Sequence, residues 1–249
     1  MRGNDAIMIE LIRVAVEENP KGIMIHLIDM PGAFTRAEKL SDAISKIVGE
    51  AKMYASWVGK TYQQSAYKIE IVQKETTQAQ LDDGDTEILT LRDKNFDASY
   101  FQHLKMLALK SAEDFQKLYD SLPNKEFIDI TKNRTTFYGK IPSNAKEMLF
   151  HVDEVKTYYL SRINISFSEE ESDFVSDRYK SIRLIESGNQ ACCNQLFFVD
   201  DEYWTTAKVL RRFIWHDRIH ARALYRFAVK IWGYTNISNV FSFETPLSK

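Results

Sequence analysis

The fold of this chain is decided by one long helical stretch, Glu202 to Trp232, at whose centre stands Trp215-His216-Asp217-Arg218-Ile219-His220. If the stretch is one helix, its side chains advance by about 100° per residue and the apolar ones fall in one narrow sector. That sector contains Val209, Phe213, His216, His220, Ala223, Leu224, Phe227 and Ile231. Arg211, Arg218 and Arg222 are predicted to face away from it. Two histidines therefore lie inside an apolar stripe.

The two histidines are one helical turn apart and so are neighbours on the helix surface. Burying an imidazole without a partner costs about 1–3 kcal/mol, and two of them repeat that cost. A shared cation would satisfy both, because zinc binds imidazole nitrogen at about 2.0–2.1 Å. Two core histidines with separate hydrogen-bond partners remain the alternative at this point.

Composition places the chain among globular proteins and excludes several function classes. Its 249 residues suffice for one large domain or two ordinary ones, with 44% hydrophobic and 27% charged residues. A net charge of -2 and a pI near 6.2 give no electrostatic case for binding nucleic acid. Glu10 and Arg13 interrupt the first apolar run, so no signal-peptide core is predicted, and no segment has the length of a membrane span.

The two cysteines, Cys192 and Cys193, are adjacent in sequence. Adjacent cysteines suit neither a loop-closing disulfide nor a Cys-x-x-Cys site. We therefore expect a reduced, cytoplasmic protein in which they are buried or linker residues, with a reactive role as the alternative.

Residues 1–75 are predicted to form a small α+β domain. Ile7 to Val16 and Gly22 to Ile28 are β-favouring runs, and the charged turn from Glu17 to Gly22 joins them into a hairpin. Apolar residues from Leu40 to Ala55 then recur at helical spacing, with Ser41 or Asp42 as the predicted cap. A returning strand is predicted from Tyr67 to Val72.

This region resembles the HicB-type fold. The resemblance rests on Ile25-His26-Leu27-Ile28-Asp29-Met30-Pro31-Gly32-Ala33-Phe34, followed by Lys39-Leu40-Ser41-Asp42-Ala43-Ile44. Members commonly have cysteine where this chain has Ala33, and two acidic residues where it has Ser41-Asp42. HicB proteins that act as toxin partners usually add a DNA-binding segment, which the sequence lacks. An antitoxin role is therefore not expected.

Residues 76–95 are polar and acidic and are predicted to be a linker, and residues 96–249 an all-α four-helix bundle. Asp97 is the predicted cap of the first helix, which Pro123-Asn124 ends. The second helix begins after Pro142 with Ser143 as cap. The third lies between Ser168 and Gly188, and the fourth is capped by Asp200 or Asp201. Arg178 intrudes on the apolar face of the third helix, for a site or for solvent.

The spacing of His216-Asp217-Arg218-Ile219-His220 is that of the zincin motif His-Glu-x-x-His, in which the glutamate is a general base. Asp217 is one methylene shorter than glutamate, and no third-ligand motif follows downstream. The sequence therefore disfavours a protease.

Two segments of the predicted bundle resemble the DinB/YfiT-like superfamily. The first is Ser143-Asn144-Ala145-Lys146-Glu147-Met148-Leu149-Phe150-His151-Val152-Asp153-Glu154. The second is Thr206-Ala207-Lys208-Val209-Leu210-Arg211-Arg212-Phe213-Ile214-Trp215-His216-Asp217-Arg218-Ile219-His220. The resemblance implies an up-down-down-up bundle in which His151, His216 and His220 bind a divalent metal. Asp217 and Ile219 stand where the family often has glutamate and aspartate, which affects the surroundings of the metal but not its ligands.

The resemblance also implies an activity, because family members include thiol-dependent isomerases and transferases. We expect a metal-dependent enzyme that transfers or conjugates a low-molecular-weight thiol, with a small-molecule substrate. A metal-hydroxide hydrolase is the alternative, as is a non-enzymatic, metal-stabilised bundle whose HicB-like domain contacts a protein partner. Asp217, Tyr158 and Arg162 are weaker candidates for catalytic or substrate contacts. Zinc is expected first, with nickel or iron also compatible with histidine ligands, and relatives often form homodimers.

Overall fold

The computed structural model describes residues 9–61, 66–81, 86–128, 135–136, 139–140, 142–168, 172–188 and 194–244. Cys192 and Cys193, for which buried or linker positions are predicted, lie outside these ranges. Backbone contacts divide the chain into two compact units, Met1–Thr90 and Leu91–Lys249. No helix in the described ranges is long and apolar enough to cross a bilayer.

The first unit is a mixed four-stranded sheet with two helices, as the α+β prediction requires. Its elements are β1 (Ile9–Asn19), β2 (Gly22–Leu27), β3 (Phe34–Ala37), α1 (Leu40–Ser45), α2 (Ile47–Trp57) and β4 (Ala66–Thr76). The strand order is β3-β2-β1-β4. β2 is antiparallel to β1 and to β3, whereas β4 is parallel to β1. The predicted hairpin and returning strand are confirmed.

Two local predictions in this unit are wrong, and one strand was not predicted. The turn of the hairpin is shorter than predicted, because Glu17 lies in β1 and is buried, where its Oε1 accepts a hydrogen bond of 2.9 Å from the Glu87 amide. The short strand β3 was not predicted, and it is held by pairing with β2. Neither Ser41 nor Asp42 caps the helix, since α1 begins after Lys39 without a side-chain cap.

Part of the predicted linker belongs to the core of this unit. Ile88 is fully buried in a cluster with Ala15 of β1 and Ile28, which follows β2. Ile88, from the short apolar run in this otherwise polar segment, therefore packs against the sheet.

The second unit is mainly helical. Its elements are α3 (Leu91–Lys94), α4 (Ala98–Ser121), β5 (Thr135–Thr136), β6 (Gly139–Lys140), α5 (Ala145–Ser161), α6 (Phe174–Ser187), β7 (Phe197–Val199), β8 (Glu202–Trp204) and α7 (Thr206–Trp232). The four long helices contact each other, α4 with α6 and α7, and α5 with the same two helices. The two helices that carry the predicted metal ligands, α5 and α7, therefore pack on each other. Helix α5 also packs on α6, and α7 also packs on α4.

Contacts along the helices fix their directions. Helix α4 is antiparallel to α6, α5 is antiparallel to α7, and α4 runs in the same direction as α7. The antiparallel pairings are shown by Phe115–Phe174 and Lys105–Glu186, and by Tyr159–Phe213 and His151–His220. The shared direction of α4 and α7 follows from Ser111–Asp217 within the helices and from Ser121, at the end of α4, contacting Ser238 in the segment after α7.

The caps of α4 and α5 show how local sequence sets their starts. The Asp97 carboxylate accepts a hydrogen bond of 2.7 Å from the Tyr100 amide, which confirms that predicted cap. In α5 the cap is Asn144 rather than Ser143, since Asn144 Oδ1 accepts from the Glu147 amide at 2.8 Å. Ser143 instead donates its amide and hydroxyl to Glu147 Oε2, both at 2.8 Å.

The predicted start of the fourth helix is wrong. Asp200 and Asp201 have φ values of 54° and 63° and form the two-residue turn between β7 and β8. Successive positive φ values suit such a hairpin turn and exclude a helix cap in extended conformation. Helix α7 begins after Thr205, whose Oγ1 accepts a hydrogen bond of 3.2 Å from the Lys208 amide.

The side of α7 predicted to face away from the apolar stripe is also largely covered. Arg211 and Arg218 are both buried. The guanidinium of Arg211 donates two hydrogen bonds of 3.0 and 2.8 Å to the carboxylate of Asp93 in α3. Neighbouring elements therefore surround α7 on several sides. The helical periodicity of its sequence does not reveal this.

Candidate metal site

Three histidines from two helices converge on one point. His151 lies on α5, and His216 and His220 lie one turn apart on α7. The Nε2 atom of His220 is 3.2 Å from Nε2 of His151 and 3.1 Å from Nε2 of His216. One ligand atom from each residue lies within 4.8 Å of the others, so the group could hold a metal ion.

These separations fit a metal ion better than a hydrogen-bonded pair. Two nitrogens bound to one tetrahedral zinc at about 2.0–2.1 Å stand about 3.3–3.4 Å apart. A neutral imidazole has one donor and one acceptor nitrogen. Nε2 of His220 can therefore make only one of its two short contacts as a hydrogen bond. A cation accepts the lone pairs of all three Nε2 atoms at once.

Burial keeps the three imidazoles neutral, the form in which they bind metal. Burial lowers the pKa of His151, and it lowers the pKa of His220 to about 3, with a further contribution from His151. The pKa of His216 lies well below its ordinary value because of burial and then of the two neighbouring histidines. Metal binding at neutral pH therefore does not have to displace protons from these side chains.

The ring orientation of His216 follows from its surroundings. Its side chain is 6% exposed, and Tyr159 packs edge-on against the imidazole with 6.2 Å between ring centroids. Its Nδ1 atom is buried and has no hydrogen-bond partner among the residues that the structure describes. With Nε2 directed at the other histidines, Nδ1 is the nitrogen that carries the proton.

Two of the three histidines are partly exposed, and the ligand group contains no negatively charged side chain among the described residues. His151 and His220 are half-buried, whereas His216 is buried. Within the described ranges, no carboxylate belongs to the ligand group. A divalent ion held by three neutral imidazoles would keep its full charge, and its remaining coordination positions would favour water or an anionic ligand atom.

The carboxylate of Asp217 lies between helices rather than in the histidine group. It is fully buried, and Arg178 of α6 donates two hydrogen bonds to it, of 2.7 and 2.9 Å. The hydroxyl of Ser111 in α4 donates a third, of 2.5 Å. Both oxygens are therefore occupied by core partners, and the catalytic role suggested for Asp217 stays a prediction.

Tyr158 and Arg162 follow His151 along α5 and contact each other. The guanidinium carbon of Arg162 lies 4.0 Å from the centroid of the Tyr158 ring, and Arg162 also pairs with Asp200 in the β7–β8 turn. The Tyr158 ring is 6.0 Å from that of Trp204 in β8. The side chains are thus linked to the hairpin, and their role in substrate contact is likewise a prediction.

A cluster of buried charges lies where α7 begins. Glu202 accepts from Lys208 at 2.9 Å and from Arg212 at 3.0 Å. Burial lowers the pKa of Lys208 to about 8 against the opposing effect of Glu202. Arg212 also lies over the ring of Trp204, 4.7 Å from its centroid. These contacts fix the first two turns of α7 against the hairpin.

Sequence reasoning left Arg178 unexplained and did not single out Lys156 and Asp177. Arg178 is buried beside Asp217, and Lys156 of α5 pairs with Asp177 of α6 at 2.9 Å. The signal for Arg178 was its position on an apolar helical face, which indicates a buried charge that needs a partner. Its partner lies 39 positions away in sequence, which no local pattern identifies.

Comparison of the chain with protein-family models, with curated proteins and with solved structures finds no match.

Proposed function

We propose that the helical unit is a metal-dependent enzyme whose divalent ion is held by His151, His216 and His220. The observation that carries the proposal is the separation of the Nε2 atoms, 3.1 and 3.2 Å, in a group of neutral imidazoles of which one is buried and two are half-buried. Three protein ligands with open remaining positions are typical of catalytic rather than structural zinc. Zinc is the first candidate, and nickel or iron would also accept this ligand set.

We further propose that this unit is a four-helix bundle of the DinB/YfiT type. The helix directions support the up-down-down-up arrangement, because α4 and α7 run one way and α5 and α6 the other. For the first unit, the four-stranded sheet with two helices is compatible with the small α+β domain that the HicB-type resemblance implies. Both family assignments rest on the quoted sequence motifs and on this architecture.

The reaction we favour is transfer or conjugation of a low-molecular-weight thiol. A divalent ion supplies a Lewis acid that ionises a coordinated thiol near neutral pH. The site supports an anionic ligand because the three imidazoles leave the charge of the ion uncompensated and no carboxylate joins them in the described ranges. Access past His151 and His220, which are half-buried, suits a small substrate.

The three weaker candidates take different roles in this proposal. A substrate would contact Tyr158 and Arg162 near the C-terminal end of α5, where Tyr158 is exposed and Arg162 stacks on its ring. Asp217 would act through the position of α7, since Arg178 and Ser111 occupy its carboxylate. A homodimer remains part of the proposal.

The first experiment tests the ligands. His151→Ala, His216→Ala and His220→Ala are each expected to lower the bound zinc from about one equivalent to well below one while helical content stays largely unchanged. His103→Ala, which changes a histidine of α4 outside the ligand group, is the control and is expected to keep full metal. Elemental analysis and far-UV circular dichroism are the measurements. Full metal in all three ligand variants would contradict the assignment.

The second experiment separates the activities. The zinc-loaded protein is assayed with small thiols plus an electrophile, and with ester substrates in the absence of thiol. Thiol-dependent turnover supports the transferase, and turnover of the esters alone supports a hydrolase. A large fall in melting temperature on chelation, without turnover of either class, would favour metal as a structural element only.

A further inference from the structure

Helix α6 contributes no histidine to the candidate metal site, yet it packs on α5 and reaches α7 through the Arg178–Asp217 ion pair. In its first turns it carries two adjacent charged residues, Asp177 and Arg178, which are 4% and 3% exposed. Charged side chains are almost never buried this deeply without partners. The partners of these two lie on different helices.

Arg178 faces α7. Its guanidinium forms two hydrogen bonds of 2.7 and 2.9 Å with the carboxylate of Asp217, the residue that follows His216. It also donates to the Ala108 carbonyl of α4 at 3.1 Å and lies 4.2 Å from the centroid of the Phe213 ring. A planar, bidentate pair of this kind restricts orientation more than a single contact does. It therefore fixes the rotation of α7 about its own axis at the level of His216.

Asp177 faces α5. Its carboxylate lies 2.9 Å from Nζ of Lys156, which is five positions after His151. Lys156 also donates to Asp153 at 2.5 Å, and Ser172 donates to Asp177 at 2.5 Å. The pair is largely buried, with side-chain exposures of 11% for Lys156 and 5% for Asp177. The Lys156–Asp177 pair therefore fixes α5 against the turn of α6 whose next residue, Arg178, binds α7.

Stability alone does not account for these two pairs. Replacing a buried ion pair by well-packed apolar side chains is often neutral or stabilising, by about 1–4 kcal/mol. What an ion pair adds is a defined geometry, which an apolar contact does not enforce. The histidine group needs that geometry, because its ligands come from two helices and must converge to within a few tenths of an ångström.

We propose that Lys156, Asp177, Arg178 and Asp217, here called the α6 ion-pair cluster, position the three histidines for metal binding by holding α5 and α7 to one turn of α6. This inference rests on the proposed metal site. The four side chains are positioning residues, since none of them belongs to the candidate ligand group. Residues behind metal ligands typically change metal affinity by about 10–100-fold when they are mutated.

The test replaces each pair by apolar residues of similar volume, so that no charge is left buried alone. The variants are Arg178→Met with Asp217→Leu, and Lys156→Met with Asp177→Leu and Asp153→Asn, because Asp153 also pairs with Lys156. The matched control is Arg211→Met with Asp93→Leu, which removes a buried bidentate pair of α7 that joins α3 instead of α5 or α6. Arg178→Lys, which keeps the charge but loses the planar fork, serves if the first double variant does not fold.

Cobalt(II) is the probe, and its dissociation constant is measured by competition with a chelator. Both cluster variants are expected to bind cobalt about 10–100-fold more weakly, with an altered visible ligand-field spectrum, while the melting temperature changes by only a few degrees. The control is expected to keep the wild-type spectrum and affinity. Cluster variants that fold and bind cobalt with wild-type affinity and spectrum would overturn the inference.

A second measurement needs no metal and separates this inference from the proposed function. Spin labels at the exposed positions Glu154 in α5 and Ala223 in α7 report the distance between the two helices, in a background with Cys192→Ser and Cys193→Ser. The cluster variants are expected to broaden this distance distribution in the metal-free protein, and the control is not. A wild-type protein that binds no cobalt overturns the proposed function. Unchanged distance distributions in both cluster variants overturn the positioning role.

Discussion

At the scale of the residue, placing three imidazoles together between packed helices costs folding free energy. Each must remain neutral, and the pKa values of all three are lowered, chiefly by burial. A bound cation would offset this cost by accepting the imidazole lone pairs, because Nε2 of His220 faces two other nitrogens that can each present a lone pair. The same burial makes the metal-free protein sensitive to acid.

Folding stability is expected to fall as the pH drops below about 6.5, the ordinary pKa of histidine. Below that value the histidines of the unfolded chain bind protons, whereas the folded histidines stay neutral, with a pKa of about 3 for His220. Protonation therefore favours the unfolded state. Above it the full stability is present. Urea denaturation of the chelator-treated protein at pH 7 and pH 5 measures the difference.

His220→Leu is the comparison for this effect, because it removes a histidine whose pKa burial lowers to about 3. The loss of stability between pH 7 and pH 5 is expected to be smaller in this variant than in the wild type. An equal loss in both proteins would show that other groups govern the acid sensitivity.

At the scale of the element, α7 is the helix on which the site depends, and it begins after the β7–β8 hairpin rather than at either predicted cap. The predicted cap at Asp200 or Asp201 fails because those residues turn a hairpin, and Thr205 takes the role. Once the helix begins there, the histidine spacing follows from helical geometry alone. The caps at Asp97 and Asn144 are purely local and set α4 and α5 in the same way.

Thr205→Ala is expected to lower the free energy of unfolding by about 1 kcal/mol, because the amide of Lys208 loses its hydrogen-bond acceptor. Thr205→Ser keeps a hydroxyl at the same position and is the control, with little expected change. Chemical denaturation monitored by circular dichroism measures both variants. Equal stability of the alanine and serine variants would contradict a capping role.

At the scale of the whole molecule, two compact units share one chain, and all three candidate ligands lie in the second. The polar segment between them contributes Ile88 to the core of the first unit, while α3 pairs with α7 in the second. The boundary between Thr90 and Leu91 therefore separates two sets of internal contacts.

A fragment of residues 91–249 is expected to fold and to bind about one equivalent of zinc, because its ligands and the α6 ion-pair cluster are contained within it. Residues 1–90 are expected to fold without binding zinc stoichiometrically. Elemental analysis and circular dichroism of the two purified fragments are the measurements. Zinc binding by the full chain but not by a folded 91–249 fragment would show that the first unit completes the site.

The sequence alone determined what depends on local periodicity and local hydrogen bonds: the long helices, the cap at Asp97, the β1–β2 hairpin and the placement of His216 and His220 one turn apart. His151 was reached through resemblance of motifs, because nothing local relates it to a helix about 65 positions away. Only the tertiary structure decided that the three Nε2 atoms meet, that Asp217 pairs with Arg178, and that β3 and the β7–β8 hairpin exist. Each of these depends on pairing or burial between distant segments, and the energy of such contacts is set by which elements come together rather than by the residues on either side in sequence.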